Sequence, residues 1–385
     1  MRAPRLADLI RLIFADEWFW LAVYLVTAAV ASVVCIERRC NNFLIFRAAF
    51  DHLRAGADLY MAHPVEHADL FKYSPTFALL FAPFAKAPFA LSIAAWNVVS
   101  ALLLFVGLRQ SMPAEERIAA IQLGGLALIL TIDGTQTNAV IAALILLSFA
   151  ALERDRIGLA ALAIATGAFI KLFPAAAVSF AFPRRDRWRF GVLFACSIGA
   201  LALLPLGVTS MRALVDQYGS WYAMGSVDAL DRGASVMRLL HEAGYAGPNW
   251  PVQLAGTLLL LLPLARGAWK DASHRRTFLG SVLVYCVIFN HKAEHPSFII
   301  ALAGVAVWYA NGSRTIGKSL ATALLLASVV PVFILVAVPG AGVGLALEIA
   351  GAACTVAWLT MQAELLDLAP VTDATLAGPE MQPAD

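Results

Sequence analysis

A chain of 385 residues that is 61% hydrophobic and 14% charged, with a mean hydropathy of +0.76, has too little polar surface to cover a water-soluble globule. Apolar stretches recur from Trp18 to Met361 as unbroken runs without the alternation of a membrane barrel, so an all-α polytopic membrane protein is predicted. A net charge of +2 argues against any general affinity for nucleic acid.

In chain order, residues 1–17 place Leu6, Leu9, Ile10, Ile13 and Phe14 on one helical face, which predicts an interfacial amphipathic helix. The first span covers about 18–36. It follows Arg2, Arg5 and Arg11 without a small-residue cleavage site, so it reads as an anchor and not a removed signal peptide. Residues 41–76 then concentrate charge between two apolar regions, with Asp51, Asp58, Glu66, Asp69, His52, His63, His67 and Lys72. Residues 74–90 are proline-broken and predict a partial helix before a full span at 90–108. Further spans are expected at 118–132, 137–153, 189–208, 251–266, 277–290, 296–310, 318–338 and 342–361. The pieces 157–170 and 173–183 are each short and read as a broken hairpin turning at Lys171 to Pro174, the kind of irregular backbone that lines a wet cavity. The total is about 10–12 spans in one unit, 18–361, followed by a disordered acidic tail at 362–385. No internal repeat is visible.

Lys and Arg orient the chain. Short connecting segments on the N-terminal side hold 17 of the 28, whereas the other side has two long polar segments, 37–73 and 209–250. The expectation is an inner-membrane protein with cytoplasmic termini and its polar segments outside. The five cysteines lie mostly in apolar runs without zinc or disulfide-framework spacing and read as core packing; Cys35 and Cys40 stand close enough to leave an alternative open.

In this topology the 41–73 stretch, the turn Asp133 to Asn138, the Lys171 break, the 209–250 loop and Asn290 to Pro296 all fall on the outer side. Ionisable groups at membrane depth point to function by default. Each signal also has a plain reading. Lys171 can snorkel, Glu294 and Lys292 can pair in a short turn, and Asp133, Gln136 and Asn138 can cap helix ends. Met211, Leu214, Val215, Tyr218, Trp221 and Tyr222 at helical spacing suggest an amphipathic helix at headgroup level, with covering a site as the second reading.

The order Arg54-Ala-Gly-Ala-Asp58-Leu-Tyr60, then Lys72-Tyr73-Ser74-Pro75, Gly134-Thr-Gln136-Thr-Asn138, Ile170-Lys171-Leu-Phe-Pro174 and His291 to His295 resembles the polyprenyl-phosphate-sugar-dependent, mannosyltransferase-like family of the GT-C superfamily. The resemblance covers most of 18–310. It implies a GT-C-like bundle that takes a monosaccharide from a lipid-linked phosphate donor on the outer face and passes it to a glycan or glycolipid acceptor. It also implies a catalytic acid early in the first outer loop, where this chain has Asn41 and Asn42.

Inverting transfer needs a group to accept the proton of the attacking hydroxyl. The candidates are Asp58, Asp51, Asp69 and Glu294, with His291 and His295 as base or hydrogen-bond donors. Asp58 also suits a turn after Gly56, and Asp69 a surface pair with Lys72. Lys171, Lys72 and Lys292 are candidate partners of the donor phosphate, and Asn42, Tyr73, Gln136 and Asn138 candidate substrate contacts. No cofactor or metal is expected; His63, His67 and nearby acids could hold a divalent ion only adventitiously. The rival readings are a transporter or flippase of a lipid-linked substrate and a noncatalytic assembly partner.

Overall fold

The computed structural model describes residues 12–367 apart from 132–134, 229–230, 267–268, 270, 337 and 339–341. Asp133, most of the expected 1–17 helix and the tail beyond Asp367 therefore lie outside the described residues. The described residues are mostly helical and form no strand. In chain order the helices are α1 (Glu17–Arg38), α2 (Asn41–Ala55), α3 (Pro75–Leu80), α4 (Ala82–Lys86), α5 (Phe89–Ser111), α6 (Arg117–Thr131), α7 (Asn138–Leu152) and α8 (Ile157–Ile170). They continue as α9 (Arg187–Leu203), α10 (Met211–Asp228), α11 (Val236–Glu242), α12 (Asn249–Leu261), α13 (Ala272–Ile288), α14 (Phe298–Ala310), α15 (Ile316–Val336) and α16 (Gly344–Leu365).

Five of these are long and apolar enough to cross a membrane: α1, α5, α9 with its 3-10 extension to Gly207, α15 and α16. Each has 21 to 23 residues, or roughly 31–35 Å of helix against a hydrocarbon core of about 30 Å. The other expected spans also form apolar helices, but α6, α7, α8 and α14 have only 13 to 15 residues. Short helices of this kind are tolerated where their ends meet protein or a polar cavity instead of lipid. α7 and α14 are accordingly buried along most of their length. The expected limb at 173–183 is a 3-10 spiral, Phe173–Ala181, opened by Pro174.

Packing runs from neighbour to neighbour: α16 on α13, α13 on α14, α14 on α6, α6 on α5 and α1, α5 on α7, α7 on α8 and α8 on α9. The α13–α14 crossing depends on two glycines. A Cβ on Gly280 would sit 2.8 Å from the Gly304 carbonyl oxygen, and one on Gly304 would sit 2.6 Å from that of Gly280. Without a hydrophobic force between helices in lipid, such backbone approach is a main source of attraction.

The polar stretch 41–76 begins as a helix, not a loop. α2 turns Phe43, Phe46, Phe50 and Leu53 inward and leaves Asp51 and Arg54 exposed. Phe46 meets Tyr73, Phe77, Phe81 and Trp96 edge-on, with ring centroids 5.0–6.4 Å apart. Each such pair contributes about 0.5–1.5 kcal/mol beyond simple burial. α3 and α4 are the two halves of the expected partial helix. α10 is the helix expected in the 209–250 loop, but its apolar residues divide: Leu214 is buried, whereas Met211, Val215 and Tyr222 are exposed.

The cysteine expectation needs correction. Cys35 and Cys40 form a disulfide, with Cα atoms 4.9 Å apart, because α1 ends at Arg38 and the chain turns back at Arg39 in a left-handed conformation. Cys286 and Cys354 are buried as expected, and Cys196 is exposed.

The basic connecting segments meet at one end of the bundle. Arg109 and Arg117 reach Glu17, Arg275 holds Glu153 through two nitrogens, Arg184 reaches Asp155 and Asp186, and Lys318 reaches Glu364. The long polar segments make a separate network, in which Gln217 bonds Ala57 and Leu59, Trp221 bonds Lys72, and Lys292 bonds Asp231.

Candidate functional site

Lys171 is the first residue after α8, where the backbone leaves the helix in an extended conformation. Its ammonium donates to Asn138 Oδ1 at 2.9 Å and lies 5.9 Å from the ring centres of both Tyr73 and Phe173. Asn138, 2% exposed, is the first residue of α7. The broken hairpin, the 135–138 turn and the segment before α3 therefore converge on one cation.

Glu294 enters from a fourth segment. Its backbone and side chain cap the short 3-10 turn His295–Ser297 in a reciprocal arrangement with Ser297. Its carboxylate remains exposed and acts electrostatically on Lys171 and Tyr73. Burial holds the Tyr73 phenol well above its ordinary pKa; the neighbouring Thr137 hydroxyl opposes this, and the carboxylates of Glu294 and Asp69 reinforce it. Asp69 is exposed, pairs with Lys72 at 3.6 Å and accepts the Leu70 amide.

The turn carrying Glu294 is itself anchored. Lys292 bonds Asp231 at 2.7 Å, and the Ala234 amide donates to the Ala293 carbonyl at 2.7 Å. Gly233, at φ 41°, allows this: a Cβ there would lie 2.5 Å from the Ala293 oxygen. Burial works against the Asp231 charge, but the Lys292 ammonium and the Arg232 and Gly233 amides hold its carboxyl below the usual range.

On the other side of Asn138 lies a cavity of about 350 Å³ between α1, α5, α6, α7, α14 and α15. Ala28, Leu128, Ile299 and Phe333 give it an apolar wall, and Arg38, Asn97, Gln136, Asn138 and His295 make it polar in part. Val30, Val34 and Val336, also on its lining, are exposed on the outer surfaces of α1 and α15. His295 is buried, with Nε2 2.9 Å from the Leu130 carbonyl.

The remaining candidates are placed apart from Lys171 or committed to other bonds. Asp58 accepts from the Tyr60 amide at 2.9 Å and the Ser220 hydroxyl at 3.2 Å, joining the first polar segment to α10. Asp51 is exposed on α2. Asn41 accepts the Ala68 amide at 2.7 Å, while Asn42, half-buried, has no side-chain hydrogen bond among the described residues. His291 approaches Gln253 at 3.5 Å. Sequence reasoning missed Arg38, which ends α1 among charged neighbours, and Asn97, which sits within an apolar helical run; only the packing of α1 against α5 brings them onto one cavity.

The family model of glycosyltransferase family 87 matches residues 71–289, more than half of the chain. The chain belongs to glycosyltransferase family 87. This is a GT-C-type, polyprenyl-phosphate-sugar mannosyltransferase-like family, and the chain is a multi-pass membrane glycosyltransferase. The region matching family 87 includes Tyr73, Asn138 and Lys171 and stops short of Glu294. No curated protein sequence matches the chain.

Proposed function

We propose that the protein transfers a monosaccharide from a polyprenyl-phosphate donor to a glycan or glycolipid acceptor on the outer face of the inner membrane. The observation that carries this reading is the meeting of Lys171, Asn138 and Tyr73, under the electrostatic influence of Glu294, next to a cavity with apolar and polar walls. The cavity suits an isoprenoid chain, with Val30, Val34 and Val336 toward lipid and the phosphate near Asn138. The Cys35–Cys40 disulfide, at the end of α1 that enters the polar segment, supports an oxidising compartment on that side.

In this mechanism Glu294 takes the proton of the acceptor hydroxyl as its oxygen attacks the anomeric carbon. The bond from that carbon to the phosphate oxygen breaks, and polyprenyl phosphate leaves with the electron pair. A new glycosidic bond forms with inversion. Lys171 stabilises the charge growing on the phosphate, and Asn138 holds the ammonium in place. Asp69 is the alternative base, since it too acts on Tyr73.

Transfer measured from a defined polyprenyl-phosphate sugar tests the assignment. Glu294→Gln should lower kcat by about 10²–10⁴-fold, and Lys171→Met by about 10²–10³-fold. Full activity in both folded variants would refute the site. Loss in Asp69→Asn with retention in Glu294→Gln would move the base to Asp69.

A further inference from the structure

A second cluster lies in the first polar segment. His52 is on the last turn of α2, and His63 and Glu66 belong to the following turn, whose Glu66 and His67 amides donate to the His63 carbonyl. His52 Nε2 is 2.8 Å from a Glu66 carboxylate oxygen. The His52 and His63 rings face each other at 3.8 Å between centroids, tilted by 30°. One ligand atom from each of the three residues falls within 4.8 Å of the others.

We propose that His52, His63 and Glu66 bind a divalent transition-metal cation of the zinc type, which fastens α2 to the segment leading into Tyr73. Two imidazoles and a carboxylate are the donor set that borderline cations such as Zn²⁺ prefer, and water completes a fourth position. With metal–ligand bonds of about 2.0–2.1 Å, tetrahedral ligand atoms lie roughly 3.3 Å apart. The His52–Glu66 pair, at 2.8 Å, starts closer than this and the full set spans up to 4.8 Å, so closing the site takes side-chain rotation of His63 and the exposed Glu66. Glu66 is exposed, which gives the ion a path from solvent, while the His52 side chain is only 13% exposed and held in place by α2.

Neighbouring bonds explain what the ion would fix. His67 Nδ1 lies 2.7 Å from the Asp69 carbonyl, His63 Nε2 lies 3.3 Å from the Asp58 carbonyl, and Asn41 holds the Ala68 amide. The segment is thus tied at several points to the backbone that presents Asp69, Lys72 and Tyr73. The sequence could not display this set, because His52 lies eleven residues before His63 and joins it only through the reversal after α2. The role is structural, and the site stands whether or not the donor proposed above is correct.

The test uses full-length protein in detergent, stripped with a chelator and freed of any histidine tag. Zn²⁺ is titrated by calorimetry, and Co²⁺ is followed by its visible spectrum. The expected result is one Zn²⁺ per chain, a low-symmetry cobalt spectrum and a rise in Tm on metal addition. His52→Gln and Glu66→Gln should each weaken binding by about tenfold or more and remove the Tm rise. Metal-free Tm and circular dichroism show that both variants fold, and His241→Gln serves as a control that keeps the site. Absence of stoichiometric binding, or binding unchanged in both variants, overturns the proposal.

Discussion

At the scale of single residues, what distinguishes the carboxylates is what each is already doing. Asp58 bonds the Tyr60 amide and Ser220, so it acts as a turn residue fastened to α10. Glu294 is fixed by its capping arrangement with Ser297, and its exposed carboxylate acts electrostatically on Lys171 and Tyr73. Asp58→Asn, whose Oδ1 can still accept the Tyr60 amide and whose Nδ2 can donate to the Ser220 hydroxyl instead, should therefore keep most of its transfer rate. Asp58→Ala should lose about 1 kcal/mol of stability, read as a lowered Tm with kcat retained. A collapse of kcat in Asp58→Asn at unchanged Tm would return the base to the first polar segment. The sequence placed both acids among the candidates but could not rank them, because neither the Ser220 bond nor the electrostatic influence on Lys171 is local.

Among the elements, the decisive ones are short and irregular: the 3-10 spiral after Lys171, the turn before α7 and the turn 290–297. Their breaks were legible as proline and polar interruptions of apolar runs, since helix period and length are local properties. Their anchoring was not. The turn carrying Glu294 is docked on 231–234 through the Lys292–Asp231 pair and the Ala234 amide. The Asp231 carboxyl is held below its ordinary value, so this pair contributes above the unfolded carboxylate pKa of about 4 and is lost as pH falls through the lower folded value. Half-exposed Asp231 makes the effect small. Hydrogen exchange at the Ala234 amide, corrected for intrinsic rates, should be steady from neutral pH downward and accelerate only in that acid range. Lys292→Met should remove the step; a step that persists would place the titrating group elsewhere.

For the molecule as a whole, composition and loop charge were enough to read an all-helical, many-span chain, because bilayer burial imposes length and apolarity on every crossing. Among the described residues five helices reach spanning length alone, and the short central ones depend on partners that the sequence does not specify. The cavity is likewise a property of assembly: Arg38, Asn97 and His295 come from three separate helices or turns. It places an apolar wall and a polar wall on the same space and shares Asn138 with Lys171, the combination that the proposed lipid-linked sugar phosphate would need.

The most direct measurement is incubation of the purified protein with a panel of polyprenyl-phosphate sugars and candidate acceptors, read by mass spectrometry for polyprenyl phosphate and glycosylated product. The account predicts stoichiometric appearance of both from one donor, abolished by Lys171→Met. Transport of an intact lipid-linked substrate into proteoliposomes without either product, or transfer that proceeds at full rate in Lys171→Met, would contradict it.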